Sequence, residues 1–217
     1  MWYDGLFAQM EQEADPIQGE KMAAYMQNHF PFLGLPKPKL SALLRPYLQA
    51  GRKLPLDWAF LFLCWEKPYR EAQYVALTYL GRHEKELQLA DLPKLRRLIT
   101  EKSWWETVDT LDGMVGLLVQ QHPQLKQTML EWSLSDSIWL RRVAIDFQQR
   151  YQEATDTELL AQIVCNNLGS DEFFINKAIG WSLREYSKVN KAWVQAFLND
   201  HADTLSSLSR REASKYL

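Results

Sequence analysis

Two cysteines in 217 residues, Cys64 and Cys165, are too few and too far apart for a disulfide framework, and neither stands in a CxxC or a Cys/His cluster. That excludes a disulfide-stapled scaffold and a structural zinc site, and it suits reduced thiols. Nine glycines and nine prolines leave little loop punctuation, which excludes collagen-like and low-complexity chains. The formal charge of -2 gives no global pull on a polyanion, so any contact with nucleic acid has to come from local arrangement. The longest apolar run, Trp58 to Trp65, is far short of the ~20 residues that a membrane helix needs. Met1 to Asp15 holds four acidic residues and no basic one, unlike the start of a secretory signal. A soluble, cytoplasmic protein is expected.

Familiar catalytic motifs are missing too. His29, His83, His122 and His201 are scattered and none lies in HExxH, no serine sits in a GxSxG elbow, and no glycine-rich loop could cradle a phosphate. Carboxylates, arginines and indoles are what remain for chemistry.

What is present is helix. The chain is 47% hydrophobic, with nine each of Trp, Tyr and Phe, enough to build a sizeable core. Apolar residues recur at helical spacing, as in Leu92, Leu95, Leu98 and Ile99, or Leu140, Val143, Ala144 and Phe147, and sustained strand alternation is absent. Ser103 with Glu106 and Ser209 with Glu212 have capping-box spacing. Breaks near Pro31 to Pro38, Gly51 to Pro55, Pro68, Leu92-Pro93, His122-Pro123, Ala154 to Thr157 and Gly169-Ser170 leave about ten helices. The fold class is all-α.

The helices also repeat. Ala72, Val108, Ala144, Ala178 and Ala213 fall at one equivalent position, at steps of 36, 36, 34 and 35 residues, close to the period of helical-hairpin repeats. Stacked hairpins share one continuous core and leave a curved face lined by one helix per repeat, so a single domain, residues 1–217, is expected as a HEAT-like solenoid with a concave face. Two residues earlier stand Arg70, Glu106, Arg142, Asn176 and Arg211. Arginine at a helix start opposes the helix dipole, which suggests either a ligand or a neighbouring carboxylate such as Glu71, Asp136 or Glu212.

The most informative segment is Ser103 to Asp109. Trp105 and Asp109 are four apart and share a helix face, and Arg142 and Trp181 lie near the same height in the next two aligned helices. Patterning alone leaves two readings open. An indole, a carboxylate, a guanidinium and a second indole converge on a site, or Asp109 caps or salt-bridges to Arg142 while both tryptophans fill space.

These residues resemble the DNA alkylation-repair glycosylases of the AlkD type, a family built from HEAT-like helical repeats. The resemblance runs over nearly the whole chain, through Ala24 to Pro38 (AYMQNHFPFLGLPKP), Trp104 to Asp109 (WWETVD), Trp139 to Gln148 (WLRRVAIDFQ), Phe173 to Tyr186 (FFINKAIGWSLREY) and Leu208 to Ala213 (LSRREA). It implies hydrolysis of the N-glycosidic bond of purines alkylated at N3 or N7 in duplex DNA, with the lesion left stacked. It also implies Asp109 as the catalytic carboxylate, Trp105 and Trp181 as the indoles flanking the lesion nucleotide, Arg142 beside them, and Tyr25 approaching the damaged pair. Lys37, Arg141, Arg150, Lys177, Arg184, Lys188, Arg210 and Arg211 are the basic residues expected to meet DNA. No metal or other cofactor is expected, and the partner is double-stranded DNA carrying an alkylated purine, met by a monomer. The rival reading is a helical-repeat scaffold that binds DNA or protein without chemistry.

Overall fold

Six of the helices begin where a side chain satisfies a free backbone amide. Asp15, Asp57, Ser137, Asp156, Asn190 and Ser206 each accept from the amide three residues on. The structure, a computed structural model, describes residues 1–217 and contains thirteen α-helices, five short 3-10 turns and no strand. The helices are α1 (Leu6–Gln12), α2 (Pro16–Tyr25), α3 (Lys37–Gly51), α4 (Trp58–Glu66), α5 (Arg70–Leu80), α6 (Leu92–Thr100), α7 (Trp105–Gln121), α8 (Lys126–Ser133), α9 (Ile138–Asp146), α10 (Thr157–Cys165), α11 (Phe173–Ser187), α12 (Lys191–Asp200) and α13 (Ser207–Ala213). None is long and apolar enough to cross a membrane.

The chain falls into two compact units, Met1–Leu87 and Gln88–Leu217. In the first, α3 packs on α1 and α5, and α4 packs on α5. Phe60 of the apolar helix α4, Trp2 and Tyr79 form an aromatic cluster, with the Trp2 and Tyr79 rings stacked at 4.8 Å. The irregular segment between α2 and α3 is pinned by α5. Glu71 Oε1 accepts from the amides of Gly34 (2.8 Å) and Leu35 (3.1 Å), and Oε2 from that of Leu33 (3.0 Å). The Arg70 amide donates to Pro31 O at 2.9 Å, and its guanidinium lies 3.9 Å from the centre of the Phe30 ring.

In the second unit α7, α9, α11 and α13 pack in succession, with α6 on α7 and α9, α8 and α10 on α9, and α12 on α11. These are the helices that the repeat predicts. Ala72, Val108, Ala144, Ala178 and Ala213 are all 1% exposed or less, as a residue at a helix-helix contact must be. Gly116 shows how close that approach becomes. A Cβ there would stand 2.2 Å from Phe147 O, just beyond α9, so only hydrogen fits.

Three expectations need correction. Thirteen helices form where about ten are expected, because the breaks before α2, α9 and α12 carry neither glycine nor proline between the helices and are marked by the caps Asp15, Ser137 and Asn190. Neither proposed capping box forms. Ser103 donates instead to Ile99 O at the end of α6, and α7 starts after Trp104 without a side-chain cap. At α13 the cap is Ser206, one turn earlier than Ser209, which frees Glu212 for other contacts. The shared arginine position is not uniformly a helix start either. Arg70 opens α5, Arg142 lies in the second turn of α9, and Arg211 is in the last turn of α13, where the dipole favours it.

Candidate active site

Asp109 lies one turn after Trp105 on α7, with its side chain 24% exposed. Arg142, on α9, is buried. Its Nε donates to Asp109 Oδ1 at 2.7 Å and its Nη2 to Oδ2 at 2.9 Å, a bidentate pair that fixes the carboxylate plane. The remaining arm, Nη1, donates to Phe174 O on α11 at 2.6 Å. Three helices thus hold one guanidinium, and one face of the carboxylate is left towards solvent. Burial works against the charge on Arg142, but Asp146 and Asp109 outweigh it and hold the guanidinium more firmly protonated than usual.

Trp181 on α11 completes the arrangement. Its ring centre lies 5.3 Å from Arg142 Cζ, 5.4 Å from Lys177 Nζ and 5.8 Å from Arg184 Cζ, within cation-π range of all three. Asp109, Asp112, Gly113, Asp146, Phe147, Gln149, Arg150 and Trp181 line a cleft of about 90 Å³. Asp112 and Asp146 are additions that the sequence reading missed. Burial, with the repulsion of Asp146 and Asp109, pushes the Asp112 carboxyl well up against the pull of Arg142 and Arg150. No group of three or more His, Cys, Asp or Glu side chains is placed to hold a metal ion.

The model of the family described as "DNA alkylation repair enzyme" matches residues 6–217. The chain belongs to the DNA alkylation repair enzyme family. A solved structure described as a predicted DNA alkylation repair enzyme from Enterococcus faecalis is 33% identical, with a TM-score of 0.86 over 94% of this chain and 96% of its own. No curated protein matches the chain.

In this repair-family chain, Asp109, Arg142, Trp181 and Arg150 come together at the cleft, and Trp105 is half-buried on the same helix as Asp109. Lys177 and Arg184 are drawn to Glu212 of α13, at 2.9 and 3.3 Å, where Lys215 joins them at 2.6 Å. Lys188 pairs with Glu185 at 2.6 Å and lies over the Tyr216 ring. Arg141 is turned away from the cleft, its Nε donating to Asn167 Oδ1 at 2.7 Å. Arg210 is exposed and donates to Ala202 O, and Arg211 is exposed. Tyr25, 72% exposed, and Lys37, exposed at the start of α3, belong to the first compact unit.

Glu212 carries a pH signature. Hydrogen bonds from Lys215 and Lys177 hold this buried carboxyl down at about 2. The stabilisation is complete above the ordinary glutamate range and is lost as pH falls through about 2. Glu212→Gln should therefore be less stable than wild type near neutrality, and the gap between their urea midpoints should narrow in strong acid.

Proposed function

We propose that the protein is a DNA glycosylase that hydrolyses the N-glycosidic bond of N3- or N7-alkylated purines in duplex DNA and so begins base excision repair of alkylation damage. The observation that carries the reading is a solvent-facing carboxylate, Asp109, whose two oxygens are locked by one buried guanidinium beside an indole. Such a group does little for an ordinary nucleophilic hydrolysis, which needs a nucleophile and a base. It suits a reaction in which positive charge appears where none was before.

An alkylated purine of this kind is already cationic and leaves without an acid. As the C1′–N bond breaks, its electron pair neutralises the purine and the sugar becomes oxocarbenium-like. Asp109 faces that new charge, orients a water towards C1′, and takes the proton that the water releases. Because Arg142 fixes the carboxylate beforehand, no reorganisation is needed at the moment of reaction. Trp105 and Trp181 offer ring faces to the cationic sugar and base, worth about 0.5 to 2 kcal/mol per contact. A cleft of about 90 Å³ is well under the ~300 Å³ at which pockets for whole small molecules begin, so it suits a sugar edge and a water better than a base turned out of the stack. Among the basic residues, Arg150, Lys177 and Arg184 stand nearest to this cleft and are the first choice for backbone phosphates.

Duplex DNA carrying a single 7-methylguanine tests the reading by the release of free base. Wild type is expected to release it, and Asp109→Asn, which keeps the shape but not the charge, should be about a hundredfold slower in single turnover. Equal rates in the two proteins, or no release from any cationic purine, overturn the assignment. Salt-sensitive DNA binding without release would instead favour a non-catalytic scaffold.

A further inference from the structure

The cleft beside Asp109 contains a carboxyl that the chemistry above does not use. Asp146 closes α9 and is 2% exposed. Its Oδ1 accepts from Gln149 Nε2 at 2.5 Å, while Oδ2 has no hydrogen-bond partner and stands 3.9 Å from Arg142 Nε. A dry carboxylate oxygen without a donor is costly, and a proton on that oxygen lowers the cost by removing the buried charge. Arg142 lies four residues earlier on the same helix, so its single guanidinium lies between two carboxylates, Asp109 ahead of it and Asp146 behind.

We infer that Asp146 is a positioning residue for Asp109 that acts through Arg142: by gaining or losing a proton at Oδ2 it sets how much of the guanidinium's charge is left to Asp109. With Asp146 neutral, Asp109 and Arg142 cancel. With Asp146 ionised, the three side chains carry one net negative charge, which favours the movement of positive charge from purine to sugar. The effect on rate rests on the glycosylase reading, but the coupling of the three groups does not.

The surroundings favour a transition in the useful range. Burial pushes the Asp146 carboxyl up to about 7, with Arg142 and the Gln149 hydrogen bond opposing and Asp109 adding repulsion. Asp109 and Asp112 face it from α7, Arg142 from α9 itself, and Arg150 from the segment that follows. From α11 comes Trp181, with Lys177 and Arg184 over its ring. Although α6, α8 and α10 also pack on α9, they add no charged side chain to the cleft. Asp112 is the one other group there whose proton could mimic the effect, and it is separable by mutation.

Two readouts test the inference. The first is single-turnover release of 7-methylguanine from duplex DNA on both sides of pH 7. Wild type should speed up about tenfold as Asp146 ionises, Asp146→Asn should stay flat at the low-pH rate, and Asp112→Asn should keep the step. The second is the nitrogen-15 NMR resonance of Arg142 Nε in the protein without DNA, which should move through the same midpoint in wild type and stay still in Asp146→Asn. A resonance that does not titrate in wild type overturns the inference, as does a step that survives Asp146→Asn or vanishes in Asp112→Asn. If the resonance titrates but no base is ever released, the coupling stands and the glycosylase reading falls. Release without a pH step, together with a silent resonance, does the reverse.

Discussion

Arg142→Ala should lower the unfolding free energy by about 3 to 5 kcal/mol at neutral pH and abolish base release. The guanidinium is 1% exposed and carries three strong hydrogen bonds, two to Asp109 and one to Phe174 O. Its loss leaves Asp109 without its cation, the buried Asp146 without its nearest positive charge, and the Phe174 carbonyl of α11 without its side-chain donor, all in one place. The deficit should shrink in acid, because protonated carboxyls no longer need a cation, and urea midpoints of both proteins across pH measure it. Arg142→Lys should fall between the two. A single ammonium keeps the attraction but cannot reach both oxygens of Asp109 and Phe174 O together. An Arg142→Ala protein as stable as wild type would mean that the buried pair is a consequence of the packing and not one of its causes.

Glu71→Ala should have an effect of similar size in the first compact unit, about 3 to 5 kcal/mol, with no chemistry involved. Glu71 is wholly buried, and its two oxygens are the acceptors for the amides of Leu33, Gly34 and Leu35. Those amides belong to a segment with no regular structure, so no ladder takes them over when the carboxylate goes. The segment has no room to adjust. Gly34 adopts φ +87, and a Cβ there would meet Asp15 O at 2.0 Å, while Leu33 O already accepts from the Asp15 amide at 2.8 Å. Glu71→Gln should cost less but not nothing, because the side-chain amide turns an N–H towards a backbone N–H. Hydrogen exchange at Leu33, Gly34 and Leu35, with the urea midpoint, checks this. Unchanged protection of those three amides in Glu71→Ala would show that the segment is held by its apolar contacts instead.

The fold class could be read from the sequence because burial in a helical stack repeats. Ala72, Val108, Ala144, Ala178 and Ala213 are small or apolar for one reason, the contact between neighbouring helices, and that reason recurs at every step. The proximity of Asp109, Arg142 and Trp181 was legible through the same register, and so was the salt bridge between Asp109 and Arg142, which the structure contains. Asp112 and Asp146 were readable in principle, since they stand three and four residues from Asp109 and Arg142 on the same helix faces. The partner of Glu71 was not. Its ligands are backbone amides nearly forty residues upstream, and an amide carries no signature of residue type. Cap positions failed for a related reason. Serine is common around α13, and only tertiary packing decides that Ser206 and not Ser209 ends the coil.

The contact between Gly116 and Phe147 reaches further than packing. Gly116 lies seven residues beyond Asp109 on α7, and Phe147, which follows the last residue of α9, lies five beyond Arg142, so this crossing bears on the spacing of the two helices that carry the carboxylate and the guanidinium. A residue with no side chain therefore helps to set how closely the helices that carry Asp109 and Arg142 approach. Substitution at that position would shift the pairing of Asp109 with Arg142 while leaving both residues in place.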